Sequence, residues 1–183
     1  HLKPALNVVG LAGHSAIRFE AMGDKSMDEG VQATDDELAH ISRLVTESVE
    51  QGAAGFSTSR FLGHRVPDGR LTPGTWADLR EMEAIQQAVI AGGGRGGLFQ
   101  VAPDMQSRRE IEFEMFSKGA ELGCHVMYSG GAGEKGDGGV FRTAEFLARH
   151  NEGGQRMTSI CHTRPSGAMF GLAQAIPFRN TPW

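Results

Sequence analysis

The strongest constraint in this sequence is an alternation. Short strand-like runs, most of them continuous rather than alternating in hydrophobicity, are separated by amphipathic helical stretches and recur at roughly 30 to 45 residue intervals. The runs are Leu6 to Leu11, Ala53 to Ser59, Gly97 to Ala102, His125 to Tyr128 and Met157 to Cys161. Continuous apolar runs suit parallel strands buried on both faces. The intervening helices carry recognisable starts and stops. Thr34 with Glu37 forms a capping box ahead of the stripe Leu38, Ile41, Val45 and Val49, and Gly52 stands at the exit. Thr75 and Asp78 open a second helix with Leu79, Met82, Ile85 and Val89 on one face. A third starts near Asp104 or Ser107, carries Ile111, Met115 and Leu122, and stops at Gly123; a shorter one covers Thr143 to Arg149.

Repeated strand–helix units predict an α/β fold with a parallel sheet. Neither GxGxxG nor GxxxxGK[ST] follows a strand, so the phosphate-binding loop of a nucleotide-binding doubly wound sheet is missing. A (β/α)8 barrel is the better candidate. A whole barrel takes about 250 residues, so five units in 183 residues make an arc of one. The chain opens on His1 and closes at Trp183, with 26 glycines clustered at segment ends. Residues 1–183 are expected to be the central portion of a single catalytic barrel domain, not autonomous when isolated, with the remaining strands and any β-sandwich domain outside it.

Composition narrows the function classes. A net charge of −4 disfavours an electrostatic nucleic-acid binder. No apolar run reaches the ~18 residues that span a bilayer, and no signal peptide is visible. Cys124 and Cys161 lack CxxC spacing and read as free thiols, pointing to a reducing, cytoplasmic setting.

In parallel α/β folds the chemistry sits where strands end. The five strand ends present His14, Ser15 and Arg18; then Ser57, Ser59 and Arg60; then Gln100 and Asp104; then Tyr128 and Ser129; then His162, Arg164 and Ser166. The catalytic candidates are His14, as acid/base or ligand, and Asp104, for water activation. Ser59, Gln100 and Arg164 are the substrate-binding candidates, with the Arg164 guanidinium suited to a carboxylate. Each also has a structural reading: a strand-end His ties down a loop, Ala-Pro-Asp before a helix is an N-cap, and Arg164 pairs with a neighbouring acid. His125, at a strand start, reads as structural. No HxH, HExxH or paired Cys/His cluster is present, so local motifs assemble no zinc site.

Asn7 to Ser15 with Arg18 and Ala21-Met22-Gly23, then Glu50 to Ser59, then a Pro- and Gly-containing loop, a helix and Gly96 to Gln100, resemble the N-acyl-D-amino-acid deacylases (D-aminoacylases) of the amidohydrolase superfamily. The resemblance runs through most of the chain and weakens after Gly130. It implies a metal-dependent hydrolase, zinc or another divalent ion polarising the amide carbonyl and activating water, on a (β/α)8 barrel beside a small β-sandwich. An acylated amino acid would be the substrate, with homo-oligomerisation possible. Two positions depart from the family. Its metal-binding His after the third strand falls on Ala102, and the one after the fourth falls on Gly130 or Gly131. The alternative reading is therefore a metal-free barrel homologue that binds or scaffolds.

Overall fold

The computed structural model describes residues 6–93, 97–130 and 139–160. Five strands, β1 (Ala12–Gly13), β2 (Gly55–Ser59), β3 (Leu98–Ala102), β4 (His125–Ser129) and β5 (Arg156–Ile160), lie side by side in chain order. Every pairing is parallel, with Phe56 opposite Phe99 and Phe99 opposite Val126. Between them run α1 (His14–Met22), α2 (Asp35–Glu50), α3 (Leu79–Ala91), α4 (Arg109–Glu121) and α5 (Gly139–Glu152), with a 3-10 turn at Gly23–Met27. This is the expected α/β architecture, consistent with part of a (β/α) barrel; closure of the sheet is not seen among the described residues.

The two faces of the sheet differ in kind. Phe56, Phe99, Val101, Val126, Tyr128 and Met157 are buried against the helices. Phe56 stacks on Phe99 and Phe116 on Tyr128, at ring-centre distances of 6.1 and 4.5 Å. Their strand neighbours Ser57, Gln100, His125 and Thr158 alternate to the opposite face, as the period of two requires, and are only partly buried or exposed. In a sequential parallel order, crossovers of one hand place the connecting helices on one side of the sheet.

The helix boundaries follow local chemistry. The Thr34–Glu37 capping box forms, and the Glu37 carboxyl is held down to about 2 by Lys25 and the Thr34 backbone. Asp78, not Thr75, caps α3, accepting the Glu81 N–H; Thr75 instead closes a turn onto the Thr72 carbonyl.

Two expectations need correcting. The run from Leu6 to Leu11 does not pair as a strand. β2 begins only at Gly55, so just Ala12 and Gly13 find ladder partners, and Leu6, Val8 and Val9 are exposed. On α4 the buried stripe is Glu112, Met115, Phe116, Gly119 and Ala120, while Ile111 is exposed. Periodicity misplaced that face because a glutamate occupies the inward position. Helix α1, directly after β1, is an element the sequence reading does not name.

Truncating the ring at the centre of the sheet, Phe99→Ala, is expected to cost about 3–5 kcal/mol in the full chain, read by urea unfolding. A loss below about 1 kcal/mol would show that this layer is not the core.

Candidate functional site

The structure separates the candidate residues into two groups, one beneath the strand ends and one on the open face. His14 belongs to the first. It opens α1, is 1% exposed, and packs its ring on Phe56 at 5.3 Å. Its Nε2 lies 2.8 Å from Glu81 Oε1 and its Nδ1 2.7 Å from Thr58 Oγ1. Burial lowers the His14 pKa and outweighs the raising influence of Glu81. The neutral ring then donates from Nε2 to the carboxylate and accepts the Thr58 hydroxyl at Nδ1, a tautomer assigned from its partners. Arg18, fully buried, donates to both Glu81 oxygens at 3.0 and 3.2 Å and to the carbonyls of Ser26 and Val31. Burial pushes the Glu81 carboxyl up, but His14 and Arg18 together bring it below its ordinary value. A Cβ on Gly74, where φ is +98°, would stand 2.4 Å from His14 Nδ1, so the loop before α3 closes directly over the ring. His14 therefore does not reach the expected rim: it faces the helix layer, with both ring nitrogens engaged.

Asp104 is committed to its own turn. Its Oδ1 accepts the N–H groups of Gln106 and Ser107, and its Oδ2 accepts the Ser107 hydroxyl and the Arg108 guanidinium. Burial acts to raise its pKa, yet these donors hold it below the usual range. These bonds brace the turn ahead of α4, whose own N-cap residue is Arg108, and they leave a carboxylate 4% exposed with poor access to a water nucleophile. Arg108 continues the network to the carbonyls of Thr75 and Arg60 and lies 5.4 Å over Trp76. Arg60, 2% exposed, donates 2.8 Å to Glu112 Oε1 and 2.6 Å to the Ala77 carbonyl. Burial raises the Glu112 carboxyl despite Arg60, and its Oε2 has no hydrogen-bond partner.

The second group lies on the open face. Ser57 donates to Gln100 Oε1 across the β2–β3 ladder. Ser59, at the end of β2, stands 2.6 Å from His64 Nδ1. His64 sits on a hairpin braced by an Arg65–Leu71 bridge and by Arg70, which grips Asp24 and Asp68. Ser59 and Gln100 thus share a face, while Arg164 lies outside the described residues. The sequence reading missed His64 and the acid partners Glu81 and Glu112. The spacing Ser59 to His64 across a turn-rich loop is a weak signal, and neither glutamate bears any mark in the sequence.

Metal ligation does not fit what is described. Among the described residues no three His, Cys, Asp or Glu side chains are grouped to hold an ion. Ala102 offers no donor, and the Asp104 oxygens are already bound. A groove of about 490 Å³ between α3 and α4, lined by Met82, Gln86, Met115 and Lys118, includes none of the candidate residues.

No protein-family model and no solved structure matches the chain. It is 29% identical over 171 residues to an N-acyl-D-aspartate deacylase of Alcaligenes xylosoxydans xylosoxydans, covering 88% of the chain and 30% of that protein. It is 26% identical over 129 residues to an N-acyl-D-glutamate deacylase of the same organism, covering 69% and 23%. An uncharacterized protein of Mycobacterium tuberculosis is 30% identical over 112 residues, covering 55% and 17%. The chain spans less than a third of each of these relatives. The similarities support a distant, amidohydrolase-like relationship.

The buried cluster fixes a pH dependence. The folded His14 pKa lies below its ordinary 6.5, so the unfolded chain binds that proton more readily and stability falls as pH drops from 7 toward 5. His125, also lowered by burial, adds the same sign. The Glu81 contribution is lost only as pH falls below about 4.5, its ordinary value. The fall in Tm between pH 7 and 5 should be shallower in His14→Gln; an equal fall would remove His14 from the account. Glu81→Ala, which strands Arg18, should cost about 3–5 kcal/mol by denaturant unfolding.

Proposed function

We propose that this chain contributes to the active site of a hydrolase that cleaves a non-peptide C–N amide bond, with N-acyl-D-amino acids as its substrate class. The supporting observation is the similarity over 171 residues to an N-acyl-D-aspartate deacylase. The strand-end geometry agrees with it, because Ser59, His64, Ser57 and Gln100 gather hydrogen-bonding groups on the face the helices leave open. In this reading the sheet is an arc of a (β/α)8 barrel, and the substrate lies over the C-terminal ends of its strands. Gln100 and Ser59 contact the amide, and Arg164 takes the amino-acid carboxylate as a bidentate partner. His14 and Asp104 hold the rim in shape without touching substrate.

A second reading is a barrel of the same descent that binds acylated amino acids without turning them over. Ala102 and Gly130, standing where the resembled family places metal ligands, favour it. Both readings are tested by incubating the full-length protein with N-acetyl-D-aspartate, N-acetyl-D-glutamate and their L-enantiomers, and following the free amino acid by chiral chromatography. Release from the D-forms and not the L-forms is expected. Saturable binding with no release of amino acid would favour the second reading instead.

A further inference from the structure

We infer that the furrow between α3 and α4 is a binding site for an organic ammonium ion with an apolar body. The furrow holds about 490 Å³, within the range of small-molecule sites, and lies in the helix layer with none of the strand-end residues in its walls. Its floor is apolar: Met82 and Met115 are buried, with Leu79 half-buried beside them. Its walls are acidic. Glu83, Glu114 and Glu121 line it against a single cation, Lys118, which Glu83 already holds at 3.2 Å. Among the described residues no cation pairs with Glu114 or Glu121. Glu121 also closes α4, where the negative end of the helix dipole opposes its charge. An ammonium seated there meets the carboxylate and the dipole together.

A second observation lies between the two helices. Gln86, 1% exposed and part of the same furrow, donates from Nε2 to the Met115 carbonyl at 3.0 Å and leaves its Oε1 without a donor. The partner fixes that assignment, because turning the amide over would set its oxygen against the carbonyl. Gly119 makes room for the amide: a Cβ there would stand 2.7 Å from Gln86 Nε2. Leaving a buried acceptor unpaired is unfavourable, and an ammonium over the methionines brings N–H donors to the amide that lines the same furrow.

An ordinary gap between packed helices is the competing explanation, and the other side of α3 offers the comparison. The furrow between α2 and α3 holds about 290 Å³, has no acid in its walls and includes Arg43. Its inner hydroxyl, on Thr46, is satisfied by the Ala88 carbonyl at 3.2 Å. Of the two, only the α3–α4 furrow combines a larger volume, acidic walls and an unpaired buried acceptor.

The full-length protein is titrated calorimetrically with 2-phenylethylammonium, and with phenylacetate and ethylammonium as controls that lack the cation or the apolar body. One saturable site for 2-phenylethylammonium is expected, weakening as salt rises, with neither control binding. The double variant Glu114→Gln, Glu121→Gln should bind about tenfold more weakly, and Lys118→Ala, which frees Glu83, about threefold more tightly. Opposite signs from the two variants are not what a loss of structure produces, and thermal melts check that both fold. Absence of saturable binding, equal binding of phenylacetate, or affinities indifferent to these substitutions would overturn the site. A second copy covering the furrow, seen as a dimer in sedimentation with amine binding only on dilution, would overturn it equally. None of these readouts involves amide hydrolysis, so the site stands or falls apart from the hydrolase reading.

Discussion

One buried carboxylate organises the first half of the chain. Glu81, in the first turn of α3, receives the His14 imidazole and the Arg18 guanidinium at once, and all three are essentially without solvent. Through His14 the carboxylate is joined to Thr58 on β2, and through Arg18 to the carbonyls of Ser26 and Val31. Four pieces distant in sequence, the β1–α1 junction, the 3-10 turn, β2 and α3, are thereby held in one arrangement. Desolvating such groups costs several kcal/mol per ion, and only complete pairing offsets it. Glu81 is fully paired, which is why its carboxyl lies below its ordinary value although burial acts to raise it.

The same device recurs one unit later with a different balance. Arg60 follows β2 and meets Glu112 in the first turns of α4. Each time an arginine past a strand end reaches a glutamate near the start of a following helix, where the helix dipole also favours a negative charge. Glu112 has one cationic partner and an unsatisfied second oxygen, and burial raises its pKa. A close partner count thus sets opposite directions in two otherwise similar glutamates. Both pairs join residues past a strand end to a helix later in the chain.

What the sequence made legible follows from the range of each interaction. The α2 capping box and the α3 stripe are written within a few residues, and the parallel order follows from the strand–helix rhythm. The extent of β1 is not legible locally because Ala12 and Gly13 pair with Phe56 and Ser57, 44 residues further along the chain. The α4 face was misread because Glu112, polar by type, is made an interior residue by Arg60. The candidate site was legible by zone rather than by residue. Gln100 and Ser59 fall on the open face; His14 is held by Thr58 and Glu81, far off in the chain and unmarked by any local pattern, whereas Asp104 is held by Gln106, Ser107 and Arg108, the near neighbours that its place ahead of a helix suggests.

The open face explains why the site reading concentrates on so few residues. Among the described residues two histidine contacts occur there, and they differ in what surrounds them. His125 begins β4 and bonds Thr158 on the adjacent strand at 2.9 Å, so both partners are fixed by the ladder and lie away from the strand ends. Ser59 and His64 join the last residue of a strand to a hairpin, at the end where parallel strands deliver their loops. A strand-to-strand bond can only hold two strands together, which the ladder already does. A strand-end hydroxyl against a loop imidazole leaves the side facing away from the sheet open to a ligand. The buried ion pairs that turn Thr58 and Arg60 inward are what turn Ser59 outward, so the architecture beneath the rim and the chemistry above it are consequences of the same alternation along β2.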